Sequence, residues 1–255
     1  MKKAIIGYTG FVGNNVISQT YFDDFYNSKN IESIKGKKYD LVVCAGTPAV
    51  KWLANKEPIK DKENLKFLMD CLSELSTNKL ILISTVDVYP NPINVDEDTI
   101  IDEKILQPYG KHRLELENFV RDKFDSLIIR LPGLFGKGLK KNIIYDFMND
   151  NIGDWINKDS VFQFYNLANL WQDIAIALDH NLELINFATE PISVAEVAKE
   201  AFGLKFNHTP ETNPAYYDMQ TKYADLFNHN NLKYLSTKSQ TLEEIKDFIS
   251  SQNLK

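Results

Sequence analysis

A tyrosine and a cation one helical turn apart are the residues of this chain whose types and spacing most directly suggest chemistry. Tyr109 opens the stretch YGKHRLELE, and Arg113 follows it four residues later. Residues four apart lie on the same face of a helix, so the guanidinium would lie beside the phenol. A free tyrosine has a pKa of about 10. A fixed cation beside the ring stabilises its phenolate and so lowers this pKa. The two residues either transfer a proton near neutral pH or form an ordinary packing contact.

Three glycines in GYTGFVG follow the first apolar run of the chain and precede a predicted helix. This spacing allows a tight turn, close approach of the backbone to a pyrophosphate, and close packing of helix on strand, with the helix N-terminus facing the anion. The motif predicts a dinucleotide-binding loop, although a glycine-rich turn without a ligand has the same composition. The residues assigned to the loop are Gly7, Thr9, Gly10, Phe11, Val12 and Gly13.

Two further segments are candidates for contact with a dinucleotide. The second strand should end near DFYNSKN at 24–30, where the acidic residue usual for NAD is replaced by Asn27, Ser28 and Lys29. A lysine and a hydroxyl could accept a ribose 2′-phosphate, which slightly favours NADP over NAD, or Lys29 could be a solvated loop residue. The third strand ends in small residues that either line the cofactor or only pack, namely Cys44, Ala45 and Gly46.

The elements that must position these residues alternate along the first half of the chain. Short, continuous apolar runs predict strands at 3–8, 40–46, 79–85 and 126–131, each covered on both faces. Amphipathic patterns predict helices at 11–20, 59–76 and 108–123. Strands that alternate with helices indicate an α/β fold of the Rossmann type, a doubly wound parallel sheet.

The pattern of residue types along the chain changes after Pro132. Two later strands are predicted in VFQFYNL and LELINFA, a helix at 193–202 with Ser193 as its cap and Glu196 three residues on, and a closing helix at 241–250 capped by Thr241. Segment 205–240 is loop-rich. The resulting division assigns 1–135 and 161–190 to the dinucleotide-binding core, and 136–160 and 191–255 to a smaller, mainly C-terminal, substrate-binding region.

Composition excludes several classes of protein. The 255 residues have a net charge of −6, which does not favour nucleic acid or an anionic membrane as a partner. No apolar run approaches the roughly 20 residues that cross a bilayer, and the first apolar run is too short for a signal peptide. Two cysteines without ligand or disulfide spacing suggest reduced core thiols and a cytoplasmic location. The histidines lack ligand spacing, so no metal is predicted: His112, His180, His208 and His229.

The ordered set of motifs resembles the extended short-chain dehydrogenase/reductase family. The set comprises GYTGFVG, the strand end STVDVY at 84–89, and the helical YGKHR at 109–113. The resemblance extends through RLPGLFG, FQFYNLANLWQDIA and NFATEPISVAEVA, and so covers nearly the whole chain. It implies an NAD(P)-dependent enzyme that acts on a nucleotide-activated sugar, such as an epimerase, a dehydratase or a reductase similar to dTDP-4-dehydrorhamnose reductase. A homodimer is common in the family.

The resemblance also implies roles for individual residues. Thr85 matches the catalytic hydroxyl that hydrogen-bonds the substrate oxygen, and Tyr109 matches the general acid/base. The family has a lysine four residues after this tyrosine, and Arg113 departs from that pattern, so the charge is kept while the geometry is in doubt. The cofactor-binding residues implied by the resemblance further include Ser84, Tyr109, Arg113, Leu131 and Leu134.

Three residues are candidate substrate contacts: Thr85, Asp87 and Asn142. Asp87 lies two residues after Thr85, where dehydratases of the family have a glutamate, so it is either an acid/base or a turn residue. The dehydratase signature Thr-Asp-Glu is here Thr-Val-Asp, which favours a reductase or an epimerase. Trp52 is either a substrate contact or a packed aromatic. A non-catalytic dinucleotide-binding redox sensor and a protein-interaction scaffold are the alternatives from other functional classes.

Overall fold

In the computed structural model, which describes residues 1–227 and 233–252, the apolar runs of the first half pair into one parallel sheet. The strands in chain order are β1 (Lys3–Ile6), β2 (Asp24–Tyr26), β3 (Lys38–Cys44), β4 (Ser76–Thr85), β5 (Ile93–Val95), β6 (Ser126–Leu131), β7 (Gly133–Phe135), β8 (Val161–Phe162), β9 (Phe164–Asn166), β10 (Leu184–Asn186), β11 (Ile192–Ser193) and β12 (Asp218–Met219). Six of them form the central sheet in the order β10-β6-β4-β3-β1-β2, which confirms the predicted Rossmann-type α/β fold.

Helices connect these strands and follow the predicted pattern in most places. They are α1 (Phe11–Ile17), α2 (Lys51–Lys56), α3 (Pro58–Ser73), α4 (Pro108–Lys123), α5 (Ile143–Met148), α6 (Leu170–Asp179), α7 (Val194–Phe202) and α8 (Lys238–Gln252). The helix predicted at 108–123 has the predicted bounds, with proline at its first position. Helix α1 is shorter than predicted because the Ser18 and Gln19 side chains bond the Asn15 carbonyl and end it. Helices α2, α5 and α6 were not predicted.

The strand order reverses between β1 and β3. From β1 the chain goes to β2 on one side, and β3 then pairs with β1 on the other side. In open parallel sheets, ligands bind at such a switch point, outside the carboxyl ends of the strands. The predicted glycine loop follows β1, and Ala45 follows β3, so both lie at this point.

Both faces of the central sheet are buried, as its continuous apolar strands predict. One face packs against α3 and α4, whose buried side chains include Leu65, Leu72 and Leu116. The alternate residues of the same strands, such as Ile5 and Ile81, are also buried. Burial on both faces explains why these strands do not alternate between apolar and polar residues.

The chain divides into two compact units. The first contains residues 1–91, 99–130 and 170–185, and the second contains residues 92–98, 131–169 and 186–255, of which 228–232 and 253–255 lie outside the described residues. His229 and part of the loop-rich segment 205–240 therefore lie outside the described residues. In the second unit, α5, α7 and α8 form a separate apolar core that includes Ile144, Val197 and Ile245.

These boundaries differ from the predicted division of the chain. Residues 92–98 join the second unit because β5 pairs with β12. Residues 131–135 and 161–169 join it because β7 pairs with β9 and β8 pairs with β11. Strands of two or three residues have no readable periodicity, so the sequence pattern could not assign them to a unit.

The caps of the last two long helices give one confirmed prediction and one correction. At α7, Ser193 and Glu196 form the predicted capping box. At α8, Thr241 was predicted as the cap, but it is buried inside the helix. Thr237 takes that role, because its hydroxyl accepts from the Gln240 backbone N–H while the Gln240 side chain accepts from the Thr237 N–H.

The described residues contain neither a membrane-spanning helix nor a cluster of metal ligands. No helix among them combines the length and apolar character that a membrane span needs. Within the same part of the chain, no three potential metal ligands lie close enough together to hold an ion. The thiols of Cys44 and Cys71 are both buried and unpaired by disulfides.

Candidate active site

Tyr109 and Thr85 lie together in the first unit. Thr85 is the last residue of β4 and Tyr109 is the second residue of α4, and the Thr85 hydroxyl faces the Tyr109 phenol closely enough to lower its pKa. Only 8% of the Tyr109 surface is exposed. Because β1, β3 and β4 are parallel neighbours, Thr85 lies at the same edge of the sheet as the glycine loop and Ala45. The structure therefore brings the predicted acid/base pair to the edge where a dinucleotide would bind.

The beginning of α4 is held against the turn after β4. A Cβ added to Gly110 would lie 1.9 Å from the Asp87 carbonyl oxygen, so a residue with a side chain cannot be accommodated without a shift. On the other side, the Asn55 side chain of α2 accepts a hydrogen bond from the Tyr109 backbone N–H at 2.9 Å. These two contacts fix the position of the Tyr109 backbone relative to Thr85.

Replacing Gly110 with alanine should therefore lower stability and disturb the Tyr109–Thr85 pair. Overpacking at a buried contact costs about 1–3 kcal/mol. Since alanine is the better helix former, any loss must arise from the contact with Asp87. The free energy of unfolding, measured with urea, checks this expectation, and Lys111→Ala at the next, exposed position is the control. Equal stability of the two variants would contradict the close contact.

Arg113 is buried and is held by protein acceptors. Its guanidinium forms a bidentate ion pair with the Asp61 carboxylate of α3, with Nη2 at 2.9 Å from Oδ1. Nη2 also donates to the Pro48 carbonyl at 2.6 Å, and His112 bonds the same carboxylate through Nδ1 at 2.7 Å. Among the described residues, Nε of Arg113 has no acceptor. Arg113 was predicted to bind the cofactor, but most of its guanidinium N–H groups therefore donate to acceptors within the protein.

The charge of Arg113 acts on the face of the phenol ring. Its Cζ lies 3.9 Å from the centre of the Tyr109 ring, in a cation–π contact. Burial raises the pKa of Tyr109 above its ordinary value, the charges of Arg113 and Lys51 and the hydrogen bond with Thr85 oppose that rise, and Asp87 adds to it. Charge assistance is thus present, as predicted, but it comes from a cation that is already paired with a carboxylate.

Asp87 faces the same pair of hydroxyls. Its carboxylate Oδ1 lies 2.6 Å from the Lys51 ammonium of α2, and Oδ2 lies 3.5 Å from the Thr85 hydroxyl oxygen. Its backbone N–H donates to that hydroxyl at 3.2 Å. Asp87 is therefore a turn residue, which is one of the two predicted alternatives, and its carboxylate also faces the Thr85 hydroxyl. Lys51 was not predicted.

A buried ion pair lies behind the site. Glu117, two turns after Tyr109 on α4, has no exposed surface and forms a bidentate pair with Arg130 of β6. Ser84 donates to Glu117 at 2.5 Å, and Arg130 donates to the Tyr89 hydroxyl at 2.7 Å. Ser84, predicted to bind cofactor, is thus used to join β4 to α4. Glu117 and Arg130 were not predicted as part of the site.

The glycine loop has the geometry of a cradle. Gly7 has a φ of +86°, and a Cβ there would lie 2.3 Å from the Ala45 carbonyl oxygen. A Cβ on Gly13 would lie 2.2 Å from the Gly7 carbonyl oxygen. Thr9 and Gly10, at the tip of the loop, are exposed, while Phe11 and Val12 are half-buried. Gly7 and Gly13 therefore allow the tight turn and the close packing of helix on strand, and the open tip at Thr9 and Gly10 fits the approach of a pyrophosphate.

The segment after β2 forms a turn beside this loop. The Asn27 side chain accepts from the Lys29 backbone N–H at 2.9 Å and donates to the Tyr8 hydroxyl at 3.2 Å. Ser28 and Lys29 are exposed. The Asn27 amide is therefore used within the protein, while Ser28 and Lys29 present a hydroxyl and a charge to solvent.

The other predicted cofactor and substrate residues have varied positions. The Cys44 side chain is buried in the core, and burial raises its pKa to about 11, so only its backbone could contact a ligand; Ala45 is half-buried and Gly46 exposed. Leu131, Leu134 and Asn142 belong to the second unit. The Asn142 amide caps α5 and donates to the Leu134 carbonyl, which leaves little of it for a substrate. Trp52 is not packed, since 67% of its surface is exposed.

Structural comparison identifies the fold. The chain matches a dTDP-4-dehydrorhamnose reductase from Clostridium acetobutylicum (TM-score 0.76, 17% identity, 99% of this chain and 100% of that one). It also matches the dTDP-4-dehydrorhamnose reductase of Bacillus anthracis in complex with NADP (TM-score 0.77, 17% identity, 98% of this chain and 99% of that one). A third match is UDP-glucose 4-epimerase from Thermotoga maritima with UDP-glucose (0.72, 15%, 100% of both chains). No family model and no curated protein sequence matches. The chain therefore has the fold that its resemblance implied.

Proposed function

We propose that this chain is an NAD(P)-dependent enzyme that oxidises or reduces a ring carbon of a nucleotide-activated sugar. The observation that supports this most strongly is the nearly buried Tyr109 at the start of α4, which faces Thr85 at the carboxyl end of β4. A sensor that only binds a dinucleotide needs no acid/base at this position. Solved proteins with the same fold act on dTDP-4-dehydrorhamnose or bind UDP-glucose, which supports the substrate class.

The residues assigned to the cofactor fit a nicotinamide dinucleotide. The glycine loop that contains Gly7 and Gly13 would hold the pyrophosphate. The buried Nε of Arg113 would donate a hydrogen bond to a ribose hydroxyl. When bound, the nicotinamide donates hydride to the ring carbon or accepts hydride from it. Two residues of the second unit are proposed cofactor contacts, Leu131 and Leu134. A third, Asn142, is a proposed substrate contact.

The reacting oxygen of the sugar would interact with both hydroxyls. Tyr109 transfers a proton to this oxygen in the direction of reduction and removes it in the direction of oxidation. Thr85 donates a hydrogen bond to the same oxygen and fixes its position. In this role Tyr109 is active as an acid below its pKa and as a base above it. Because the chain has Thr-Val-Asp in place of Thr-Asp-Glu, we propose a reductase or an epimerase ahead of a dehydratase.

NADP is the proposed cofactor, with NAD as the alternative. Lys29→Ala should weaken binding of NADPH by up to about fivefold and leave NADH almost unchanged, because an exposed charge pair contributes about 1 kcal/mol or less. Fluorescence titration of the reduced cofactors measures this difference. Lys35→Ala, which removes another exposed lysine of the first unit, is the control. If the NADPH/NADH ratio is the same in both variants, Lys29 does not recognise the phosphate.

Native mass spectrometry of the purified protein tests the proposal as a whole. We expect a nicotinamide dinucleotide, and a sugar nucleotide, to co-purify with the protein or to bind when added. Failure of every nicotinamide dinucleotide to bind would contradict the proposal. Binding of the dinucleotide without turnover of any nucleotide sugar would favour the redox sensor. A homodimer and a cytoplasmic location are further parts of the proposal, and light scattering tests the first.

A further inference from the structure

The proposed reaction leaves Tyr109 without its proton after each reduction. Tyr109 is nearly buried, and bound substrate would cover it further, so the phenolate needs a route by which a proton returns from water. In this site the cation nearest the ring cannot supply it. The guanidinium of an arginine is never deprotonated in proteins, and Arg113 has only 2% of its surface exposed.

A second cation lies at the other end of a chain of polar groups. The Thr85 hydroxyl faces Tyr109 and lowers its pKa, the Asp87 carboxylate lies 3.5 Å from the Thr85 oxygen, and the Lys51 ammonium lies 2.6 Å from the other carboxylate oxygen. The Lys51 side chain is 47% exposed. A lysine, unlike an arginine, can release and regain a proton in a protein.

We propose that Asp87 and Lys51 form a proton relay that returns a proton from water to Tyr109. The inference rests on the proposed function, and it explains how a site with arginine in place of lysine can turn over. It assigns Lys51, which no motif identified, to the machinery of the reaction. Asp87 then acts on the proton of Tyr109, through Thr85, instead of on the sugar.

The relay balances in protons. After Tyr109 has given its proton to the sugar oxygen, Thr85 gives its hydroxyl proton to the phenolate. Asp87 replaces the proton of Thr85 and takes one from the Lys51 ammonium, and the neutral amine then takes a proton from water. The net change is one proton moved from water to Tyr109. No electrons move in these steps, and the reverse sequence serves oxidation.

The charged groups around Tyr109 determine the sign of a first test, which needs no cofactor. Asp87 and Lys51 face its hydroxyl from the turn after β4 and from α2, and Arg113 lies on its own helix, paired with Asp61 of α3 beside His112. Lys51→Met removes a charge that lowers the pKa of Tyr109, so its ionisation should move to higher pH. Ultraviolet titration measures this shift, with Tyr109→Phe subtracted in each background.

The matched control is Lys62→Met. Lys62 is also an exposed helical lysine, and it is paired with Glu115 on α4 at 3.2 Å. We expect no shift of Tyr109 in this variant. If Tyr109 ionises at the same pH in Lys51→Met and in Lys62→Met, the Lys51 ammonium does not act on the phenol and the relay is overturned.

Kinetics separate a relay from a merely structural ion pair. In Lys51→Met, the first reduction should proceed at the rate of the native protein, because Tyr109 starts protonated. Steady-state turnover should fall by about 100-fold or more, as for the loss of a proton-transfer group. Added methylamine should restore part of it.

An equal loss in the first turnover, or no loss relative to Lys62→Met, would overturn the relay. These outcomes differ from failure of the proposed function, in which the native protein itself reduces no nucleotide sugar. In that case the titration still decides whether Lys51 and Tyr109 interact.

Discussion

Tyr109→Phe should reduce the rate of hydride exchange by about 10³-fold or more while the protein stays folded. The variant removes the group that moves the proton, and positioned acid/base groups contribute about 10²- to 10⁴-fold. Its structural cost should be small, because a single hydrogen bond, here the one to Thr85, contributes about 1 kcal/mol. Turnover with NADPH and a panel of nucleotide sugars, followed by cofactor absorbance, measures the effect.

Two controls make this result specific. Tyr21→Phe alters an exposed tyrosine of the same unit and should have the turnover of the native protein. In the native protein, the rate of reduction should fall as the pH rises through the raised pKa of Tyr109, and the rate of oxidation should rise over the same range. A Tyr109→Phe variant with a native rate and a native pH profile would remove Tyr109 from the chemistry.

Glu117→Ala should cost about 3–5 kcal/mol of stability, because it removes one partner of a buried ion pair. The variant leaves the Arg130 guanidinium buried without its carboxylate, and it removes the acceptor of Ser84. A lone charge in the core is far more costly than the pair. The free energy of unfolding in urea measures this loss.

A double variant separates the cost of the lone charge from the contribution of the pair. Glu117→Leu combined with Arg130→Met should recover much of the stability, because apolar residues of similar volume often replace a buried pair without loss. Glu115→Ala, two residues away on the exposed side of α4, should change stability by about 1 kcal/mol or less. Equal losses in Glu115→Ala and Glu117→Ala would show that Glu117 is not held in a buried pair.

The sequence predicted those parts of the fold in which local pattern and burial agree. The strands around Ile5, Val43, Ile81 and Ile129 were predicted correctly because each is an apolar run covered on both faces. The boundaries of the two compact units differ from the predicted division because strands such as β5, β7 and β12 join partners distant in the chain. No local pattern in two or three residues can specify such pairing.

The same limit applies to the site. Thr85 and Tyr109 are adjacent, as the motifs suggested, because each ends or begins a regular element. The partner of Arg113 is Asp61, on a different helix, and no spacing along the chain identifies it. Lys51 is on a short helix without a motif. Glu117 did have a signal, since it lies on the apolar face of α4, one turn beyond Arg113, and a charge on a buried face indicates a buried partner.

The most direct test of the central claim is the fate of deuterium from a nicotinamide cofactor labelled at its reactive carbon. The protein is incubated with labelled NADPH or NADH, or with the oxidised cofactors, and a panel of nucleotide sugars and keto sugars, and the products are read by mass spectrometry and proton NMR. We predict one deuterium on a ring carbon of the sugar for a reductase, or an inverted ring carbon without label for an epimerase. Unchanged sugars throughout, with the cofactor bound, would contradict hydride exchange at this site.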